Sequence, residues 1–552
     1  MAGYRKEKKE NDHLKKFRPS KKPKTSNPCY CLSYVISFFR FVYDLVVSFI
    51  FDYVYKNTPS KALPPVEDPL VLDCCTTIVD KIKNKEVTCR HVVECFIKRI
   101  EQVNPILNAV VDTRFDEALV EADEYDKLIE LADTEEKINL IFDGKPLFGV
   151  PFTSKESTAA KGMSWTLGLI SRTGMKSNED AEVVKSLKTA GAILLGVTNV
   201  PEINLWYETR NKVYGQTNNP YNTNHSAGGS SGGEASIVSA CGSPLGLGTD
   251  IGGSARIPAF NCGLFGHKLT TGFINTKGMT FRKGTEKQTM VSAGPITKYA
   301  EDLTPVIKAF LGPEKSLELK IGQEVDLSSL KYYYVDKPND PRVSPISDEL
   351  QIVLDHVIES IASITELPPL GVKFTGTRYS YSLWRHSMTK EESDFCATLG
   401  NNQTRVSVWS EVPKIIVGRS NHSLAAVLKL IDLQLPKVNA VWADAEIEKL
   451  SNEISTLLGD DSVLFFPSSP TTAKRHYEPF LYPYNFAYWA IFNVLKLPVT
   501  QVPLGLGLNG LPLGIQVVAG MNQDRLCVAV AKHLELKFGG WKPPFTTNSV
   551  KN

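Results

Sequence analysis

Asn224–Gly272 reads NHSAGGSSGGEASIVSACGSPLGLGTDIGGSARIPAFNCGLFGHKLTTG, and the interpretation of the whole chain turns on it. Glycines recur here where a packed helix or strand would reject them. A residue without Cβ permits unusual backbone angles and lets the main chain approach a ligand closely. Two serine-bearing glycine loops, Gly228–Gly233 and Gly252–Ser254, flank a short helical stretch, the pattern of a site built mostly from backbone. Flexible turns alone account poorly for two such loops beside Asp250. Phosphate binding lacks its G-x-x-x-x-G-K-[ST] loop, and the G-x-G-x-x-G at Gly505–Gly510 lies between two strands and reads as a hairpin turn. Nucleophilic catalysis by a serine is the third reading, and the strongest.

That reading has two versions. Gly228–Gly232 matches the G-x-S-x-G nucleophile elbow, which needs an acid and then a histidine downstream; His476 and His533 stand there without a distinctive local motif. The second version is a resemblance. The run GGSSGGEA, GLGTDIGGSARIPAF and GLFGHKLTTG, with GVPFTSKES upstream, resembles the amidase-signature family. Similarity extends over most of the body, through NPYN, DSVLFFPSSPTTA and LPVTQVPLGLGLNGLPLGIQVVAG. Within that family WYETRNKVYGQTNNP, GLFGHK and the C-terminal FGGW are most similar to the fatty-acid amide hydrolases.

The resemblance implies an α/β fold, a mixed twisted sheet covered by helices on both faces. It implies Ser254 as the acyl-enzyme nucleophile, Ser230 as the family's cis-peptide serine and relay, and Lys155 as the base. The backbone amides of Ile251, Gly252, Gly253 and Ser254 fall where the family builds its oxyanion hole. Long-chain acyl amides are the implied substrates, with no cofactor, a homodimer as candidate assembly, and Leu205, Trp206 and Tyr207 as candidate walls of the acyl channel or ordinary core. One departure stands out: Ala255 follows the nucleophile where the family usually carries a larger aliphatic residue. An amidotransferase-type glutamine amidase subunit and a non-catalytic lipid-binding homologue are the alternatives.

Elementary chemistry supports these assignments. A serine hydroxyl is a weak nucleophile without an adjacent base. Lysine is that base only when neutral, which needs burial or nearby positive charge, and Lys155 follows the apolar Val150, Pro151 and Phe152. Asp250 and Arg256 flank the nucleophile loop and read as a structural pair.

Outside this region, 42% hydrophobic and 22% charged residues describe a globular body. Residues 90–103 place Val92, Val93, Phe96, Ile97 and Ile100 on one helical face, and residues 179–190 read as a second helix ahead of a strand at Ala192–Val197. Leu497–Leu504 and Leu513–Ala519 read as buried strands. The stretch 275–457 is a candidate cap or insertion within a catalytic domain spanning 70–552.

The N-terminus has its own logic. Residues 1–28 form a basic tail, with ten Lys/Arg in the first 25 residues, so the remaining chain carries 52 basic against 57 acidic side chains. A mildly acidic body argues against nucleic-acid binding. Residues 29–55 are hydrophobic over a length that crosses a bilayer, but Arg40, Asp44 and Asp52 interrupt them; Arg40 and Asp44, four apart, can pair. A single spanning helix or an interfacial one follows, attached by the Pro-rich linker 56–69, with the endoplasmic reticulum or the lipid droplet as candidate locations. Asn402 and Asn421 open glycosylation sequons, usable only if the body is lumenal. The ten cysteines include no C-x-x-C and no Cys/His cluster with zinc spacing, so no metal is expected; Cys29 and Cys31 are small apolar residues or acylation sites.

Overall fold

Alternating apolar residues supply strands with two buried faces. Along Ser462–Pro467, Val463 and Phe465 enter one hydrophobic core, while Leu464 and Phe466 enter a second on the opposite face. The computed structural model describes residues 28–285, 289–338, 340–391 and 394–545, and of residues 28–39 and 41 the backbone only. Nearly all of the expected basic tail lies outside the described residues.

One eleven-stranded mixed sheet organises the body. The strands that position the site are β1 (Pro151–Lys155), β2 (Ile193–Thr198), β3 (Leu245–Asp250), β4 (Phe265–Lys268), β5 (Ser292–Thr297), β6 (Ser462–Pro467), β7 (Val499–Leu506) and β8 (Pro512–Ala519). Their spatial order is β2-β1-β3-β5-β4-β7-β8-β6; Val110–Thr113 closes one edge, and Lys331–Tyr334 with Leu370–Gly371 closes the other. β1 runs parallel to β2 and β3, whereas β5 is antiparallel to β3. β7 and β8 form the hairpin expected around Gly505–Gly510, with Leu506 opposite Pro512. β5 and Lys331–Tyr334, both within the stretch 275–457, are strands of this sheet.

Helices flank the sheet. The expected helix at 90–103 is α2 (Cys89–Leu107), where Val92, Val93, Phe96 and Ile100 are buried as their periodicity requires. Arg99, on the same face, is also buried, because its guanidinium donates to the carbonyls of Pro64, Pro65 and Ala240. The linker is thus bound to the body; its Ser60 and Lys61 also meet the Thr223 hydroxyl. The helix expected at 179–190 spans Glu182–Thr189.

The hydrophobic N-terminal segment forms α1 (Pro28–Tyr55). Among the described residues, no helix is long and apolar enough to cross a membrane, so the spanning alternative is not supported. The charged residues of α1 make ion pairs or hydrogen bonds to one another and to the body. Arg40 pairs with Asp44 at 3.2 Å and donates to Ser344 Oγ at 2.7 Å, while Arg475 reaches Asp52 at 2.8 Å. Leu45, Val46, Phe49, Ile50, Tyr53 and Val54, spaced by four residues in two rows, lie on the exposed face.

Candidate active site

Three elements meet at the carboxyl ends of parallel β1 and β3. β1 is buried along its whole length and ends in Lys155, whose Cα lies opposite Thr198 of β2. β3 ends in Asp250 and leads into the loop that carries Ser254. Between them α3 (Gly232–Ser239) starts directly after Ser230 and Ser231, its polar N-terminus beside the two loops. β3 carries glycines because α3 packs directly upon it: a Cβ at Gly246 would sit 2.5 Å from the Glu234 carboxylate.

Lys155 is fully buried, and its Nζ donates to Ser230 Oγ at 2.6 Å and to Thr249 Oγ1 at 2.9 Å. Among the described residues it has no carboxylate partner. Glu234, the nearest acid on α3, is itself saturated by the hydroxyls of Thr153 at 2.7 Å and Thr198 at 2.6 Å. Burial therefore dominates, lowering the Lys155 amine to about 7 against the opposing pull of Asp250 and Glu234. The same burial raises the Glu234 carboxyl to about 8, opposed by the two threonine hydroxyls and Lys155. An ammonium with only two hydroxyl partners in this interior is poorly solvated; a neutral amine is not.

The Gly229–Ser230 peptide is cis. Ser231 ties the two loops together, its N–H donating to the Ser254 carbonyl at 3.1 Å. Ser254 is partly buried, and its hydroxyl makes no hydrogen bond among the described residues. The structure thus joins Lys155 to Ser230 directly, and brings Ser254 to the same place through its backbone.

Asp250 shapes the loop that carries Ser254. Its carboxylate accepts from the Gly253 N–H at 2.7 Å, the Ala255 N–H at 3.2 Å, Asn493 Nδ2 at 2.9 Å and Arg256 Nε at 3.0 Å. Burial pushes this carboxyl up, but the Arg256 charge and these hydrogen bonds outweigh it and hold it well below the usual carboxylate range. Asp250 and Arg256 are the structural pair expected. Of the four amides expected at an oxyanion hole, that of Gly253 donates to Asp250 in this structure. Gly253 also has φ +107°, and a Cβ there would lie 2.5 Å from Trp489 Cβ. Ala255 is fully buried, close to Gly248.

Several supporting residues escaped the sequence reading. Thr249 and Glu234 lie inside the glycine-rich run, and their signal was adjacency to the motif. Trp384, on α4 (Ser380–Met388), donates its indole N–H to the Ile251 carbonyl at 2.9 Å. Asn493, on α5 (Ala487–Val494), binds both Asp250 and Arg256. Neither has a local pattern that marks it. A small pocket adjoins the loop through Ile257 and Trp489, with Tyr207, Phe260 and Phe486 among its walls. Tyr207 lines this pocket, Trp206 stacks on Phe480 at 4.8 Å, and the backbone of 206–208 packs against Gly229.

Comparison with known proteins agrees with this architecture. The Amidase family profile matches residues 91–528. The chain is 41% identical over 493 residues to fatty-acid amide hydrolase 2-A of Danio rerio, covering 88% of this chain and 92% of that one. It is 40% identical over 495 residues to fatty-acid amide hydrolase 2 of Homo sapiens, with 88% and 92% covered. A solved structure titled fatty acid amide hydrolase superposes with a TM-score of 0.69 at 20% identity, covering 98% of this chain and 95% of that one, which shows a shared fold. With a profile spanning most of its length and relatives this similar, the chain belongs to the amidase family.

Proposed function

We propose that this protein is a serine hydrolase that cleaves fatty-acid amides to free fatty acid and amine through an acyl-enzyme on Ser254. The observation that carries this reading is the buried Lys155 amine, lowered to about 7 and 2.6 Å from the Ser230 hydroxyl. Neutral Lys155 accepts the Ser230 proton as Ser230 Oγ takes the proton of Ser254, whose oxygen attacks the amide carbonyl. The N–H groups of Ile251, Gly252 and Ser254 receive the developing oxyanion, each donor contributing about 3–4 kcal/mol. On collapse, the C–N bond breaks and the leaving nitrogen takes a proton from Ser230, which regains one from Lys155. Water then attacks the Ser254 ester by the same relay and releases the acid.

Fatty-acid amides are the substrates supported by the names of the relatives at 40–41% identity, and Tyr207, Phe260, Phe486 and Trp489 put aromatic rings among the mixed polar and apolar lining of the pocket beside the loop. The exposed rows of α1 support attachment at a lipid surface: Leu45, Phe49 and Tyr53 with Val46, Ile50 and Val54 form a stripe that water leaves uncompensated. The test is turnover of a panel of amides of increasing acyl length, with glutamine included, by the purified full chain and by Ser254→Ala. Hydrolysis of long-chain amides that Ser254→Ala abolishes supports the reading. Turnover of glutamine alone, or none by well-folded protein, overturns it.

A further inference from the structure

Far from the serines, α2 and the linker bring together a carboxylate, an imidazole and a thiol. His91 and Cys95 stand one turn apart on α2, and Asp68 ends the linker. Asp68 Oδ2 lies 3.3 Å from Cys95 Sγ and 3.7 Å from His91 Nε2, and Cys95 Sγ lies 3.7 Å from His91 Nε2. A tetrahedral zinc ion with ordinary ligand bond lengths sets these edges at about 3.5 Å for S–O, 3.3 Å for O–N and 3.6 Å for S–N. Each separation therefore falls within about 0.4 Å of the tetrahedral value. The triangle is also held in place. Asp68 Oδ1 accepts the Leu70 N–H at 2.9 Å, which leaves Oδ2 to face the other two groups. Arg99 grips the linker carbonyls of Pro64 and Pro65, and Lys98 pairs with Glu67 at 2.8 Å, so the linker reaches Asp68 in a defined register.

We infer that Asp68, His91 and Cys95 form a binding site for a divalent zinc-class ion that staples the linker to α2. The sequence reading missed it because two ligands are only four residues apart and the third comes from the linker, outside any zinc motif. Donor chemistry selects the metal: one thiolate, one imidazole and one carboxylate suit zinc, whereas calcium and magnesium require oxygen ligands throughout. His91 and Asp68 have side chains 51% and 41% exposed, so ions enter from solvent and water completes the tetrahedron. Binding replaces the Cys95 thiol proton, which passes to solvent, and creates the S–metal bond. The staple adds a metal-bonded tie between the end of the linker and α2, beside the hydrogen bonds that already hold the linker to the body.

Cobalt(II) reports such a site directly. The metal-stripped full chain is titrated with Co2+ and the absorption spectrum recorded, then Zn2+ is added in competition. The expected result is one equivalent bound, a thiolate-to-cobalt charge-transfer band with four-coordinate d–d bands, and their loss on adding Zn2+. His91→Ala, at an exposed position, and Cys95→Ser each abolish the bands, and Asp68→Asn weakens binding while keeping the oxygen that caps Leu70. Ser254→Ala leaves the spectrum intact. Zn2+ also raises the Tm of the unaltered chain but not of His91→Ala. A titration without the charge-transfer band leaves only a thiol–carboxylate hydrogen bond and overturns the site. Bands that survive both His91→Ala and Cys95→Ser place the metal on other cysteines and overturn it equally.

Discussion

At the scale of single residues, the proposed chemistry depends on an uncharged amine at Lys155. Its position was legible because GVPFTSKES and GGSSGG are local strings whose side chains meet in space. Its partners were less so: Thr249 lies next to Asp250 but carries no motif of its own, and the role of Glu234 becomes visible only when α3 is packed on β1 and β2. With the amine at about 7, its base form grows as pH rises, so the rate of acylation climbs through about pH 7 and levels above it. A pH–rate profile of kcat/KM checks this. Stability has the same sign. A lysine lowered from 10.5 leaves the folded chain binding fewer protons than the unfolded chain between about 7 and 10.5, so this residue makes stability rise with pH across that window and contributes no slope well below it. Replacing the base removes the relay, so Lys155→Ala lowers kcat/KM by about 10²–10⁴-fold, measured by steady-state turnover.

At the scale of elements, the loop that carries Ser254 is held by the fully buried Asp250–Arg256 ion pair and by the indole of Trp384. Asp250→Ala strands the Arg256 guanidinium in the interior, and denaturant titration should show a loss of about 3–5 kcal/mol. Trp384→Phe keeps an aromatic ring against Phe486 and removes only the N–H bond to Ile251. It should cost about 1 kcal/mol of transition-state stabilisation, read as a roughly fivefold fall in kcat/KM with Tm nearly unchanged. The strands and the helix at Cys89–Leu107 were legible, since a period of two or 3.6 is written into the apolar residues themselves. The commitment of the Gly253 N–H to Asp250 was not, because a loop amide has no signature in sequence. Nor was the contribution of residues 275–457 to the sheet. β5 reads Ser-Ala-Gly-Pro-Ile-Thr, three small residues and a proline with no apolar alternation to mark a strand, and it takes its place in the sheet by pairing with β3 and β4.

At the scale of the whole molecule, α1 shows how hydrophobicity can be read correctly while its direction is not. The run 29–55 predicts a helix, and the helix forms. What its charges face depends on partners 304 and 423 residues away, Ser344 and Arg475, which no local window contains. With Arg40, Asp44 and Asp52 held by ion pairs and hydrogen bonds, the two apolar rows remain exposed, and in the proposed reading they meet lipid. Phe49→Glu with Ile50→Glu should therefore abolish co-flotation with phospholipid vesicles while leaving turnover of a short, soluble amide unchanged. Unaltered flotation would remove α1 from the membrane contact.

The central claim is that Lys155 activates Ser254 through Ser230, and the most direct measurement is the rate of fluorophosphonate labelling as a function of pH, with the modified residue located by peptide mass. The account predicts a single adduct on Ser254, a labelling rate that rises through about pH 7, and a large, pH-flattened loss of rate in Lys155→Ala. An adduct on another serine, or labelling of Lys155→Ala as fast as the unaltered chain, would contradict it.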